Sequence, residues 1–89
     1  MISTQITIIN KLGLHARSAA KLVSTASAFS SQVKVGYPGR LVDGKSIMAV
    51  MMLAASKGTE IQLQAEGSDE AEAITALQDL INRFFDEGE

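Results

Sequence analysis

At 89 residues, 46% hydrophobic and 20% charged with one proline, the chain has the length of one domain, spanning residues 1–89, and the apolar content of a folded rather than a disordered one. The lack of cysteine and the single histidine exclude a disulfide framework, a thiolate zinc site and an imidazole metal cluster, so no metal and no cofactor are expected. A formal net charge of −2 with only Phe29, Tyr37, Phe84 and Phe85 as aromatics excludes the basic, base-stacking surface of a nucleic-acid binder.

In chain order, Ile2, Thr4, Ile6 and Ile8 share one parity and Ser3, Gln5 and Thr7 the other, which predicts a strand with one buried face. From Ala16 the spacing turns helical, with an apolar stripe of Ala16, Ala19/Ala20, Val23 and Ala26/Ser27 and with Arg17, Lys21 and Ser24 off it. Val33, Val35 and Tyr37 alternate with polar or small residues, and Pro38-Gly39 turns the chain into Leu41-Val42, a hairpin closed by Asp43-Gly44. Ser46 is the expected N-cap of a short apolar helix over Ile47–Ala55, ended by Lys57-Gly58. Glu60 to Glu66 alternate most cleanly of all and predict a strand with one wet face. Ser68-Asp69 then caps the longest helix, whose apolar positions are Ile74, Leu77, Leu80/Ile81 and Phe84 and whose first turn is acidic, as the helix dipole favours. The order β-α-β-β-α-β-α in so short a chain predicts an α+β fold, a four-stranded antiparallel sheet with three helices on one face.

Charge is laid out unevenly along this order. Residues 1–57 hold seven of the eight Lys/Arg and one acid, a balance of +6, while residues 58–89 hold Arg83 and nine acids, a balance of −8. No Arg/Lys cluster interrupts the pattern, so protein partners or a small anion fit better than a polyanion. No stretch approaches the ~20 apolar residues of a membrane span and Met1–Gln5 begin no signal peptide, so a cytoplasmic location without membrane insertion is expected.

Chemistry concentrates in Gly13-Leu14-His15-Ala16-Arg17. His15 falls where the connection from the first strand enters the first helix, beside free N–H groups whose partial positive charge attracts anions. A neutral ring there can act as nucleophile toward a phosphoryl group, with Arg17 offering a fork of donors to its oxygens and Lys21, four residues on, extending the positive field. An ordinary histidine at a helix start is the plain alternative, and spacing alone leaves both readings open.

These residues resemble the histidine-containing phosphocarrier (HPr) family of the bacterial sugar phosphotransferase system, nearly end to end. Gly13-Leu14-His15-Ala16-Arg17 with Ala19-Ala20 is similar to the family's phosphorylation motif, and Gly44-Lys45-Ser46-Ile47-Met48 resembles its second motif at the expected separation. The resemblance implies an open-faced β-sandwich, phosphorylation of His15 at Nδ1 and assistance from Arg17. It also implies a phosphoryl donor, enzyme I, charged from phosphoenolpyruvate, and acceptors among enzyme II A domains or related regulators; the protein is then a carrier and not an enzyme, and a monomer is expected. Ser18 stands where the family usually has proline, which leaves a nitrogen-regulatory paralogue as the alternative branch.

Ser46 supports two readings, a helix cap and, through the resemblance, a site of regulatory phosphorylation by an HPr kinase/phosphorylase. Gly39 to Ser46 also satisfies the phosphate-loop pattern G-x-x-x-x-G-K-[ST], but Leu41-Val42 read as strand inside the supposed loop and Pro38-Gly39 as a turn, which argues against an NTPase. A third class, a non-catalytic interaction module, is suggested by Ile47, Met48, Met51 and Met52. A short apolar helix cannot bury every side, so Ile47, Met48 and Met51, with Lys21, are the expected partner-binding residues beside His15.

Overall fold

Alternation in the strands separates a dry face from a wet one, and the sheet is assembled accordingly. The computed structural model, which describes residues 1–88, arranges β1 (Ile2–Thr7), β2 (Gln32–Tyr37), β3 (Arg40–Asp43) and β4 (Glu60–Glu66) as one antiparallel sheet of order β1-β4-β2-β3. Because β4 lies between β1 and β2, Ile2 and Val33 flank Ala65, Thr4 and Val35 flank Leu63, and Ile6 pairs with Ile61. Val33, Val35, Ile61, Leu63 and Ala65 are all buried, so this cross-strand set forms the floor of the core. On the opposite, polar face the Gln62 amide donates to the Ser3 hydroxyl at 2.6 Å. Helices α1 (Ala16–Ser27), α2 (Ile47–Met51) and α3 (Glu70–Asn82) cover the dry face, giving the expected open-faced β-sandwich. Among the described residues no helix is long and apolar enough to cross a membrane.

Three local expectations change. In α1 the buried residues are Ser18, Ala19, Leu22 and Ala26, while Ala16, Ala20 and Ser27 are exposed. The helix is rolled about one position from the expected stripe because Leu22, its largest apolar side chain, gains most from the core. The second helix has five residues and not nine: Leu53 N–H and Ala54 N–H bond three residues back, to Val50 and Met51, and Ala54 turns left-handed at φ 52°. This early exit brings Ala55, 2% exposed, to where its carbonyl accepts the Leu14 N–H at 2.8 Å, so the chain leaves the helix to brace the loop before α1. At the C-terminus α3 stops at Asn82, and Phe85, not Phe84, is the fully buried aromatic.

Asp69 occupies the N-cap position of α3, yet its carboxylate does not bond to that helix. It reaches to the turn after α1, where it accepts the N–H groups of Ser30 and Ser31 at 2.9 Å each and both hydroxyls. These donors, the Ser31 hydroxyl first and then the Ser30 N–H, favour the ionised form and hold the Asp69 carboxyl at about 2. A carboxyl depressed in the folded state contributes stability that is present above its unfolded value and lost as pH falls through the folded one. Asp69→Asn is therefore expected to melt below wild type near neutral pH, with the gap in melting temperature narrowing between about pH 4 and pH 2; a gap constant over that range contradicts the assignment.

Candidate functional site

The site is built from the loop that joins β1 to α1. Ile8 leaves the sheet fully buried, its N–H bonded to Thr59 and its carbonyl to Gly58. Asn10 is also fully buried, and its Nδ2 donates to the Gly13 carbonyl at 2.9 Å. Gly13 takes φ +65°, and a Cβ there would lie 2.3 Å from the Ala55 carbonyl oxygen, so close approach and left-handed backbone both require glycine. The Ser18 hydroxyl donates to that same Gly13 carbonyl at 2.7 Å and accepts the His15 N–H at 2.9 Å. Ser18, where the resemblance leads one to expect proline, is thus a buried tie between helix and loop.

His15 is the N-cap of α1, with extended backbone at φ −112°. Its side chain is 30% exposed, and its Nε2 lies 2.7 Å from Oε2 of Glu87, whose side chain is only 10% exposed. A carboxylate oxygen accepts in such a contact, so the hydrogen bond fits the ring tautomer that carries its proton on Nε2. The other oxygen, Oε1, accepts from Asn10 Nδ2 at 3.0 Å. Arg17, in the first turn, is exposed and makes no hydrogen bond or ion pair among the described residues, and that turn contains no acidic residue. A surface concavity of about 660 Å³ brings His15 and Arg17 together with Lys11, Leu12, Ala16 and Glu87. An imidazole, a helix start and an unneutralised guanidinium therefore share one opening, the combination that holds a small anion next to a nucleophile.

Lys21 is used within the chain: its Nζ donates to the Phe85 carbonyl at 2.7 Å. Ser46 caps α2, its hydroxyl accepting the Ala49 N–H at 3.3 Å. Ile47, Met48 and Met52 are 39%, 65% and 70% exposed and Met51 is half-buried, on a helix that packs against α1. Leu12, 66% exposed, lines the same concavity as His15 and was not evident from periodicity because it lies in a loop. The letters of the phosphate-loop pattern fall across β3 and its turns. Gly44 N–H there donates to Val33 at 2.8 Å and a Cβ would stand 2.7 Å from Val33 Cγ1, so this glycine packs a hairpin and cradles no phosphate. Glu87, which meets the His15 ring, and Asn10, which holds Glu87, were not found by sequence reasoning; 72 residues separate Glu87 from the histidine, and no local pattern signals the contact.

An open-faced β-sandwich that presents its one imidazole at the start of its first helix defines the class of small histidine phosphocarriers. The family model described as "PTS HPr component phosphorylation site" matches residues 2–83. The phosphocarrier protein HPr of Pseudomonas putida is 62% identical over 90 residues, covering 100% of both chains. A crystal structure of HPr from Thermoanaerobacter tengcongensis superposes with a TM-score of 0.93 at 53% identity, covering 98% of each chain. A second structure from that organism, an HPr dimer, gives 0.73 at 53% identity over 94% of this chain and 98% of that one. The chain belongs to the HPr family of the phosphotransferase system, whose members are phosphocarriers and not catalysts.

Removing the buried Ser18 hydroxyl leaves the His15 N–H without its acceptor and deprives the Gly13 carbonyl of one donor. Ser18→Ala is expected to lose about 1–3 kcal/mol of stability by urea denaturation; a loss below about 0.3 kcal/mol means that the tie is dispensable.

Proposed function

We propose that this chain carries a phosphoryl group on Nδ1 of His15, receiving it from enzyme I, which is charged by phosphoenolpyruvate, and passing it to enzyme II A domains or related regulators in the cytoplasm. The observation that carries this reading is the ring itself: Nε2 is engaged by Glu87 while the residue caps α1 beside an unpaired Arg17. Nδ1 is left as the nucleophile, and the helix start and guanidinium are suited to the phosphoryl oxygens. The HPr name of the relatives supports the sugar branch over a nitrogen-regulatory one. The exposed side chains of Leu12, Ile47, Met48 and Met52, with Met51 beneath them, are the proposed docking surface, and adaptable methionines suit several partners. Lys21 contributes there chiefly by holding the C-terminal turn. Ser46, half-buried at the start of α2, is the proposed regulatory site for an HPr kinase/phosphorylase, where added charge would have to be desolvated against a docked partner. We take the working form to be a monomer, with dimerisation as seen in the Thermoanaerobacter relative as the competing state.

Incubation with phosphoenolpyruvate and enzyme I is expected to add one acid-labile phosphoryl mass to the wild type and none to His15→Ala. A charge-assisted hydrogen bond is worth about 1.5–3 kcal/mol, so Arg17→Ala should slow uptake by about 10- to 100-fold, with partial recovery in Arg17→Lys because the fork is lost. Labelling of His15→Ala at the wild-type rate refutes the carrier assignment, and an unchanged rate in Arg17→Ala reduces Arg17 to a solvated charge.

A further inference from the structure

The chain after α3 adopts an unusual backbone. Phe84, Phe85 and Asp86 take φ 58°, 53° and 60°, three successive non-glycine residues in the left-handed region. Such a conformation is strained for a residue with a side chain and persists only where its surroundings over-determine it. Here the anchors are visible: Phe85 is fully buried, its carbonyl accepts Lys21 Nζ at 2.7 Å, and Arg83 Nε donates to Asp86 Oδ1 at 3.0 Å. The turn delivers the next residue, Glu87, into the opening beside His15.

A second cost points to the same place. Asn10 Oδ1 is buried with no hydrogen-bond partner among the described residues. Its amide is nevertheless oriented without ambiguity, because both groups facing Nδ2, the Gly13 carbonyl and Glu87 Oε1, are acceptors. One oxygen is left unsatisfied so that one nitrogen can hold the loop and the carboxylate together. Strained backbone and an orphaned buried oxygen both serve to fix the orientation of Glu87.

We infer that Glu87, oriented by Asn10, is a positioning residue for phosphoryl transfer: it keeps the proton on His15 Nε2, so that Nδ1 presents its lone pair to the donor, and faces the positive charge that the ring acquires. The inference rests on the carrier reading above. In the step, Nδ1 forms a bond to the phosphorus of a phosphorylated donor, the donor's bond to that phosphorus breaks with its electron pair staying on the donor, and the Nε2 proton remains where it is. The imidazole thereby becomes cationic, in direct contact with a carboxylate, while the phosphoryl group sits on the far ring nitrogen. The arrangement parallels the carboxylate that orients the histidine of a hydrolytic triad, where amide replacement leaves geometry intact but imposes the wrong tautomer.

That parallel yields a distinguishing variant. In Glu87→Gln, Asn10 Nδ2 draws the amide oxygen, so the amide NH2 faces His15 Nε2 and the ring proton must move to Nδ1. In Glu87→Ala the ring is released and keeps access to the productive tautomer. Ring nitrogen-15 spectra at about pH 9, where an imidazole is neutral, are expected to show a protonated Nε2 in wild type and a protonated Nδ1 in Glu87→Gln. With enzyme I and phosphoenolpyruvate, uptake should fall at least about tenfold in Glu87→Gln, mainly in kcat, and by a smaller factor in Glu87→Ala. Wild-type tautomer and rate in Glu87→Gln overturn the inference, and so does faster uptake in Glu87→Ala, which would make the carboxylate an obstruction. If the wild type itself takes up no phosphoryl group, the carrier reading is what fails, and the tautomer exchange still decides whether Glu87 directs the ring.

Discussion

The Gly13 carbonyl is where the loop, the first helix and the C-terminal turn are joined. It accepts hydrogen bonds from Asn10 Nδ2 and Ser18 Oγ, and its residue can approach the Ala55 backbone only because it has no Cβ. From this junction the other placements follow. The Ser18 hydroxyl accepts the His15 N–H at the entry of α1; Asn10 holds the Glu87 carboxylate that meets the His15 ring; the early end of α2 brings the Ala55 carbonyl to the Leu14 N–H. The His15 ring meets the Glu87 carboxylate, and the loop that carries the histidine is clamped between buried residues of the helices and the sheet. Rigidity of this kind is what a carrier needs, since one group must be presented in the same geometry to successive partners.

The charge layout gains meaning in three dimensions. The basic first part of the chain contributes Arg17 and Lys21, and the acidic last part folds back on them. Lys21 donates to a carbonyl of the returning segment and Glu87 is engaged by His15 and Asn10, while Arg17, at the opening, makes no hydrogen bond or ion pair among the described residues. The opening thus offers an anion the Arg17 guanidinium and a helix start whose first turn holds no acid, with Lys11 and Glu87 also in its lining.

Much of this was legible in the sequence, for identifiable reasons. The strand Glu60–Glu66 has the bounds that alternation predicts, because its polar and apolar residues alternate without a break over those seven positions and so fix which face each side chain takes. The Ser46 cap and the hairpin are local, and they were read correctly from local chemistry. Where one large side chain outweighed several small ones, as Leu22 does in α1, a stripe drawn through alanines found Ala19 and Ala26 but lay about one position off the buried face. Asp69 shows a further limit: an acid before a helix looks like its cap, but two serines 38 and 39 residues away offered four donors and won its carboxylate. His15 and Arg17 were visible as a motif, whereas Ser18, Asn10 and Glu87 acquire their roles only through contacts that the fold creates.

The central claim is that one ring nitrogen of one histidine carries the phosphoryl group while the other stays protonated against a carboxylate. Phosphorus–nitrogen correlation in the nuclear magnetic resonance spectrum of the nitrogen-15-labelled, phosphorylated chain tests it most directly. The account predicts coupling of phosphorus to His15 Nδ1, with a proton retained on Nε2. Phosphorus bonded to Nε2, or found on a hydroxyl such as that of Ser46, would contradict it.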